Sequence, residues 1–365
     1  MAQCCMRRAV SRSSQTPSIF NYQHRTFSSS SILLKEPVPS FTPTSSPELD
    51  GLLEKFRKRL FIPMSLPQKY KKIIFSPKKS AELAKTPVLV PVNPGLSEEQ
   101  YQLEPLTHED LPRRSEALEV LKRMQAPEDW RNLVPFLTGL VSSGRSPTSK
   151  HCATIVRLAG KAGMSGVVLA AAKQASRTGL LLGYPEVARE LFQSFHLKAQ
   201  NAEFKGEELE AAFREAQEAA FLLYDPRHAP EDPNEDPKVL PEIIGILLEL
   251  SAARAIDAFG AKDKTGDVQK YASIVSANWK VGKFELPEEW WETNNRLRYF
   301  VPLWHGMKLA QQVQEVKVDS ALSKELSNNM EVLGTQIEKA VQMVISEGKS
   351  ENRVGVQMSK LLYKK

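Results

Sequence analysis

The chain has 365 residues, 41% apolar and 25% charged, with 49 Lys+Arg against 43 Asp+Glu, a formal charge of +6 and a pI near 9.0. Such a composition supplies enough apolar matter for one large or two ordinary domains, and it excludes wholesale disorder, collagen-like repeats and a disulfide scaffold. The charge is segregated: residues 1–90 hold 15 basic and 5 acidic residues, a net of +10, which leaves 34 basic and 38 acidic, a net of −4, for residues 91–365.

Residues 1–27 carry Arg7, Arg8, Arg12 and Arg25 among Ser, Gln, Thr and apolar residues, and the first acid of the chain is Glu36. An Arg-rich, Ser-rich, acid-free start has the composition of a mitochondrial transit peptide. Arg25-Thr26-Phe27-Ser28-Ser29 resembles the matrix processing peptidase site, so cleavage is expected between Phe27 and Ser28, and the expected location is the mitochondrial matrix. Cys4 and Cys5 would leave with the peptide. Cys152 then remains alone, which allows neither an internal disulfide nor a Cys-based zinc site.

Residues 28–103 read as a Pro-rich linker and a basic arm. Glu36 to Pro47 is rich in Pro, Ser and Thr, which suits an extended segment. From Lys55 to Lys79 there are nine basic residues and no acid: Lys55, Arg57, Lys58, Arg59, Lys69, Lys71, Lys72, Lys78 and Lys79, interleaved with Phe56, Phe61, Tyr70 and Phe75. Pro63, Pro67 and Pro77 rule out one continuous helix. A field of this sign attracts phosphate, and the aromatic rings could stack on bases, so these basic residues and Tyr70 are the candidate RNA- or ribosome-binding residues. A solvated basic linker is the plainer alternative, and an anionic inner-membrane surface is another target for a polybasic segment.

From about Ser115 the pattern is helical, with apolar residues three and four apart and almost no β-type alternation. Helices are expected over Ser115–Met124, from Pro127 to near Gly144, after a Thr148 cap to Gly160–Gly163, over Ser165–Arg177, Tyr184–Lys198 and Glu207–Tyr224. This set, residues 104–225, ends at an acidic Pro-rich loop over 226–241. A C-terminal set, residues 242–365, is expected to contain helices over Glu242–Phe259, Asp267–Trp279, Pro302–Val313 and Ser320–Tyr363. Trp279, Trp290, Trp291 and Trp304 lie close together in this set, and their first reading is core packing. The strongest apolar run, Ile243 to Leu248, is interrupted by Glu249 and is too short to span a bilayer. The fold class is therefore all-α, stacked helical hairpins in the manner of an α-solenoid, preceded by a disordered or extended basic arm.

Gly144 and Gly179 each end the second helix of a pair, Lys161-Ala162-Gly163 closes a first helix between them, and Lys150 to Gly183 frames one helix–turn–helix unit. This unit resembles the pentatricopeptide (tetratricopeptide-like) repeat family, and with the partly matching units on either side the resemblance covers about 70–110 residues. The resemblance implies stacked helix pairs and RNA or protein binding. At the base-reading positions, however, the unit offers Ala153, Thr154 and Gly183, poor readers of a base edge.

No phosphate-binding glycine loop, dinucleotide fingerprint, zinc-protease motif or serine nucleophile elbow occurs. Gly160, Gly163 and Gly166 follow no strand and read as helix ends. His151 beside Cys152 points about 100° away from it on a helix, so Cys152 reads as a small core residue. The expectation is a non-catalytic protein with no cofactor and no bound metal. It would associate with the mitochondrial ribosome or mitochondrial RNA through the basic arm and contact other matrix proteins through the helical body, a layout that resembles mitochondrial ribosomal proteins peculiar to the organelle. The rival is an assembly factor or adaptor for a respiratory complex, using the helical surface and the Trp279–Trp304 segment.

Overall fold

The computed structural model describes residues 37–92, 99–348 and 350–363, so the expected Phe27–Ser28 cleavage lies outside the described residues. Helix α1 (Pro47–Phe56) runs through a π-helical turn (Arg57–Phe61) into α2 (Ile62–Ser65), and α3 (Gln68–Ile74) and α4 (Pro77–Lys85) follow. This corrects the expectation of a disordered or extended arm. Leu49, Leu53, Phe56 and Leu60 recur every three or four residues and are each at most 1% exposed, a helical stripe hidden in the sequence by the surrounding charge. Burying each such side chain contributes about 1.5–3 kcal/mol, enough to hold the segment on the core. Pro63 is the second residue of α2, two positions past the π turn, where the hydrogen-bond ladder is already altered. Pro67 and Pro77 stand at helix starts, where a missing N–H is tolerated.

A short antiparallel pair, β1 (Leu89–Pro91) and β2 (Gln100–Gln102), sets Val90 opposite Tyr101. Leu66, Ile74, Leu83, Val90, Leu103 and Leu106 form a small apolar cluster shared by α3, α4 and this pair.

Next come α5 (Arg114–Arg123), α6 (Pro127–Trp130), α7 (Leu133–Ser142), α8 (Ser149–Lys161), α9 (Ser165–Lys173), α10 (Ala175–Thr178), α11 (Pro185–Asn201) and α12 (Gly206–Leu222). Thr148 caps α8 as expected, its hydroxyl accepting from the His151 N–H at 3.4 Å. The helix expected to continue from Pro127 to Gly144 is instead divided at Arg131–Asn132. There Asn132 exchanges hydrogen bonds of 2.8 and 2.9 Å with the backbone of Thr42. Buried Asp129 accepts from Ser45 N–H at 2.8 Å, Ser45 hydroxyl at 3.0 Å, and the N–H groups of Gln125 and Ala126 at 3.0 and 2.9 Å. The stretch 37–46 is thereby strapped to α6 and the start of α7, a reason for the break that lies 84 to 90 residues away in sequence.

After three 3-10 turns in the acidic loop come α13 (Pro241–Phe259), α14 (Asp267–Ala277), α15 (Trp290–Ala310), α16 (Gln314–Val318), α17 (Ser320–Gly348) and α18 (Val354–Leu362). Helix α15 begins at Trp290, not at the expected Pro302, which is buried within it. Helices α13 and α15 touch backbone to backbone: a Cβ on Gly306 would lie 2.7 Å from the Gly245 carbonyl oxygen. Between α11, α13 and α15, the fully buried Glu249 carboxylate bonds His196 Nδ1 and His305 Nδ1, each at 2.6 Å. Neighbouring helices pack α8 on α11, α11 on α12, α12 on α13 and α13 on α14, around one apolar core that runs from Val38 to Met358. The expected all-α class of stacked hairpins holds.

Candidate nucleic-acid interface

The nine basic residues singled out between Lys55 and Lys79 divide into two groups. The first is paired with acids of the fold. Lys55 pairs with Glu116 on α5. Arg57, 8% exposed, makes a two-pronged bond to Glu99, with one arm at 2.6 Å, and donates Nε to the Pro39 carbonyl at 3.0 Å. That hydrogen bond raises the guanidinium above its ordinary value and lowers the Glu99 carboxyl. Lys58 meets Glu54 at 3.2 Å, and Arg59 reaches Asp110 at 3.9 Å. Asp110 is itself held below the usual carboxylate range, first by the Thr107 backbone N–H and then by the Thr107 hydroxyl. The run lacks acids of its own, and the fold brings them in from 42 to 61 residues downstream for Arg57 and Lys55.

The second group faces outward. Lys69, Lys72, Lys78 and Lys79 are exposed and Lys71 is half-buried, and none of the five has an ion-pair partner among the described residues. Residues 68–85, the stretch spanning α3 and α4, hold six Lys, Lys85 included, against the single acid Glu82. The aromatic residues do not share this exposure. Phe56 and Phe61 are buried, at 1% and 3%, in a ring cluster with Phe136, the Phe56–Phe136 centroids being 5.1 Å apart. Tyr70 is half-buried against the small cluster with the Lys69 ammonium 4.6 Å from its ring, and Phe75 stacks on His108 at 6.1 Å. Phe56 and Phe61 are thus closed to base stacking, whereas Tyr70 and Phe75 remain half-buried beside the exposed lysines.

The discounted candidates also find their places. Cys152 is buried, its thiol pushed up to about 12 by burial, and it donates to the Gly179 carbonyl at 3.6 Å. His151 Nδ1 instead meets the Thr148 hydroxyl at 2.7 Å, so the neighbours form no nucleophile–base pair. Trp304 is 5% exposed and edge-on to Tyr363 at 4.6 Å, and Trp279 stacks on Phe284 at 4.3 Å, as packing requires; Trp291 is half-exposed. No group of three or more His, Cys, Asp or Glu that could hold a metal occurs among the described residues, and no described helix is long and apolar enough to cross a membrane.

Sequence reasoning passed over a second cationic cluster, Arg113, Arg114 and Arg145, which lines one pocket beside α5. The doublet Arg113-Arg114 was its visible signal; Arg145 arrives from the loop after α7.

Residues 25–365 match the family model described as mitochondrial ribosomal protein mS27. A curated relative, the small ribosomal subunit protein mS27 of Neurospora crassa, is 30% identical over 287 residues, covering 73% of this chain and 72% of that protein.

Proposed function

The chain belongs to the mitochondrial ribosomal protein mS27 family, and from that premise we propose that it is a non-catalytic component of the small ribosomal subunit that grips ribosomal RNA through α3 and α4. Membership decides for the mitochondrial ribosome over a respiratory-complex adaptor and puts the chain's work in the mitochondrial matrix. The observation that carries the RNA contact is the set Lys69, Lys71, Lys72, Lys78 and Lys79, on consecutive helices with no ion-pair partner among the described residues, while Lys55 and Arg57 beside them are neutralised within the fold. Ammonium groups without accompanying exposed aromatics bind backbone phosphate and select no sequence.

The hairpins α8–α9 and α11–α12 read as degenerate repeats that carry protein contacts and not bases. Thr154 bonds its own helix at Lys150 O, 2.9 Å away. Gly183 is closed in by the Ala229 and His228 carbonyl oxygens, each 2.6 Å from where its Cβ would stand. On α11, the Glu190 carboxylate is engaged by Arg298 of α15 at 3.0 and 2.8 Å.

The test is sedimentation of the tagged full chain from mitochondrial lysate, with and without RNase. Co-migration with small-subunit particles that is lost on RNase treatment is expected. Migration free of ribosomal particles would contradict the ribosomal reading, and subunit association unchanged by RNase would contradict the RNA contact.

A further inference from the structure

The pocket beside α5 has an aliphatic floor and a guanidinium rim. Leu121, Leu140 and Ile155 are at most 6% exposed, half-buried Leu118 completes the floor, and Arg113, Arg114 and Arg145 stand around it. None of the three arginines has an ion-pair partner among the described residues. The nearby acids are engaged elsewhere: Glu116 holds Lys55, while Glu48 and Glu119 both hold Arg123. Arg145 is half-buried and fixed by a bond from Nη1 to the Pro112 carbonyl; burial, and then the charge of Arg114, depress its basicity, while Arg113 has Glu116 nearby, a carboxylate already shared with Lys55.

We propose that this pocket takes an acidic, aliphatic segment of another protein, with one branched aliphatic side chain in the slot and flanking carboxylates on the guanidiniums of Arg113, Arg114 and Arg145. Charge complementarity sets the sign of the partner, and the planar guanidinium fork fits carboxylate oxygens in pairs. Size and lining favour protein over RNA. The slot is open to solvent on one side and narrow, with about 40 Å³ of space, which suits the end of a leucine or isoleucine better than a flat nucleobase. No side-chain amide lines the slot to read a base edge, and Phe56, which borders it, is buried.

A photoreactive benzophenone amino acid placed at exposed Ser146, on the lip of the pocket, tests this in intact mitochondria, so that the outcome does not presuppose the assembly. Mass spectrometry after RNase digestion should identify a cross-linked protein segment in which acidic residues flank an aliphatic one. The paired substitution Arg113→Glu and Arg114→Glu, at two exposed positions, should reduce the product at least tenfold, while Arg113→Lys with Arg114→Lys should retain most of it. A cross-link to RNA, a partner segment without acids, a yield unchanged by charge reversal, or no product at all would overturn the proposal. A product on a protein that is not ribosomal would leave the pocket's chemistry standing and contradict the ribosomal reading instead.

Discussion

Replacing Glu249 with Ala should be among the most destabilising single changes in the helical body. Its carboxylate is fully buried and accepts from His196 and His305 at 2.6 Å each, and the Gln200 amide closes the chain on the far side of His196 at 2.9 Å. Removing the carboxylate orphans one imidazole with no exposure and another whose side chain is 13% exposed. One buried donor left unpaired costs about 1–3 kcal/mol, and breaking a buried charged pair costs about 3–5 kcal/mol, so a loss of about 4 kcal/mol is expected. For a chain of this size that corresponds to a fall in Tm of roughly 6 °C, read by circular dichroism on the full chain. Glu249→Gln, which keeps one acceptor, should cost about half as much, and His305→Ala less than His196→Ala because water reaches His305. The effect should depend on pH. Burial alone would raise the Glu249 carboxyl, but the charges and hydrogen bonds of the two histidines outweigh it and hold the group below its ordinary value. A carboxyl depressed in the folded state contributes stability that is complete above the ordinary glutamate value, about 4.3, and disappears as pH falls through the depressed value. The gap between wild type and Glu249→Ala should therefore narrow in acid. A Glu249→Ala chain within about 0.5 kcal/mol of wild type at pH 7 would refute the three-residue bridge.

Asp129→Ala removes the acceptor for Ser45, Gln125 and Ala126; a loss of about 2–4 kcal/mol and faster proteinase K cleavage between residues 37 and 46 are expected, and an unchanged digestion pattern would contradict the strap. Gly306→Ala drives a methyl group to 2.7 Å from Gly245 O and 2.9 Å from Glu249 N, and chemical denaturation should show a loss of about 1–3 kcal/mol or more, whereas Gly51→Ala on α1, with nothing within 4 Å, should be neutral or stabilising by up to about 1 kcal/mol. Cys152, its thiol pushed up to about 12 by burial, should resist iodoacetamide at pH 8 in the native chain and react after denaturation; rapid native labelling of the Cys152 peptide would contradict its placement in the core.

Periodicity alone exposed most helices, because each buries a stripe read over ten or more residues. It failed where distant groups decide. The break after α6 depends on Asn132 holding Thr42, and the start of α15 depends on Trp290 packing near Gly348 and Arg353, contacts no local window contains. Leu49, Leu53, Phe56 and Leu60 are spaced as a helical stripe, but the run of nine like charges that begins at Lys55 overlaps its second half and masks the pattern. The candidate interface was legible in part for the same reason. Charge density marks the segment, but only the fold separates Lys55 and Arg57, neutralised by Glu116 and Glu99, from the outward lysines of α3 and α4. Arg145 could not be joined to Arg113 and Arg114 from sequence, since the two sites meet only when α8, which follows Arg145, packs against α5.

The most direct measurement is the salt dependence of binding of the full chain to small-subunit ribosomal RNA, for wild type and for the variant with Lys69, Lys72, Lys78 and Lys79 each changed to Ala. Each lysine that neutralises a phosphate adds about 0.7–0.9 to the slope of log affinity against log salt, so the variant's slope should be shallower by about 3. Equal slopes would show that α3 and α4 do not hold the RNA.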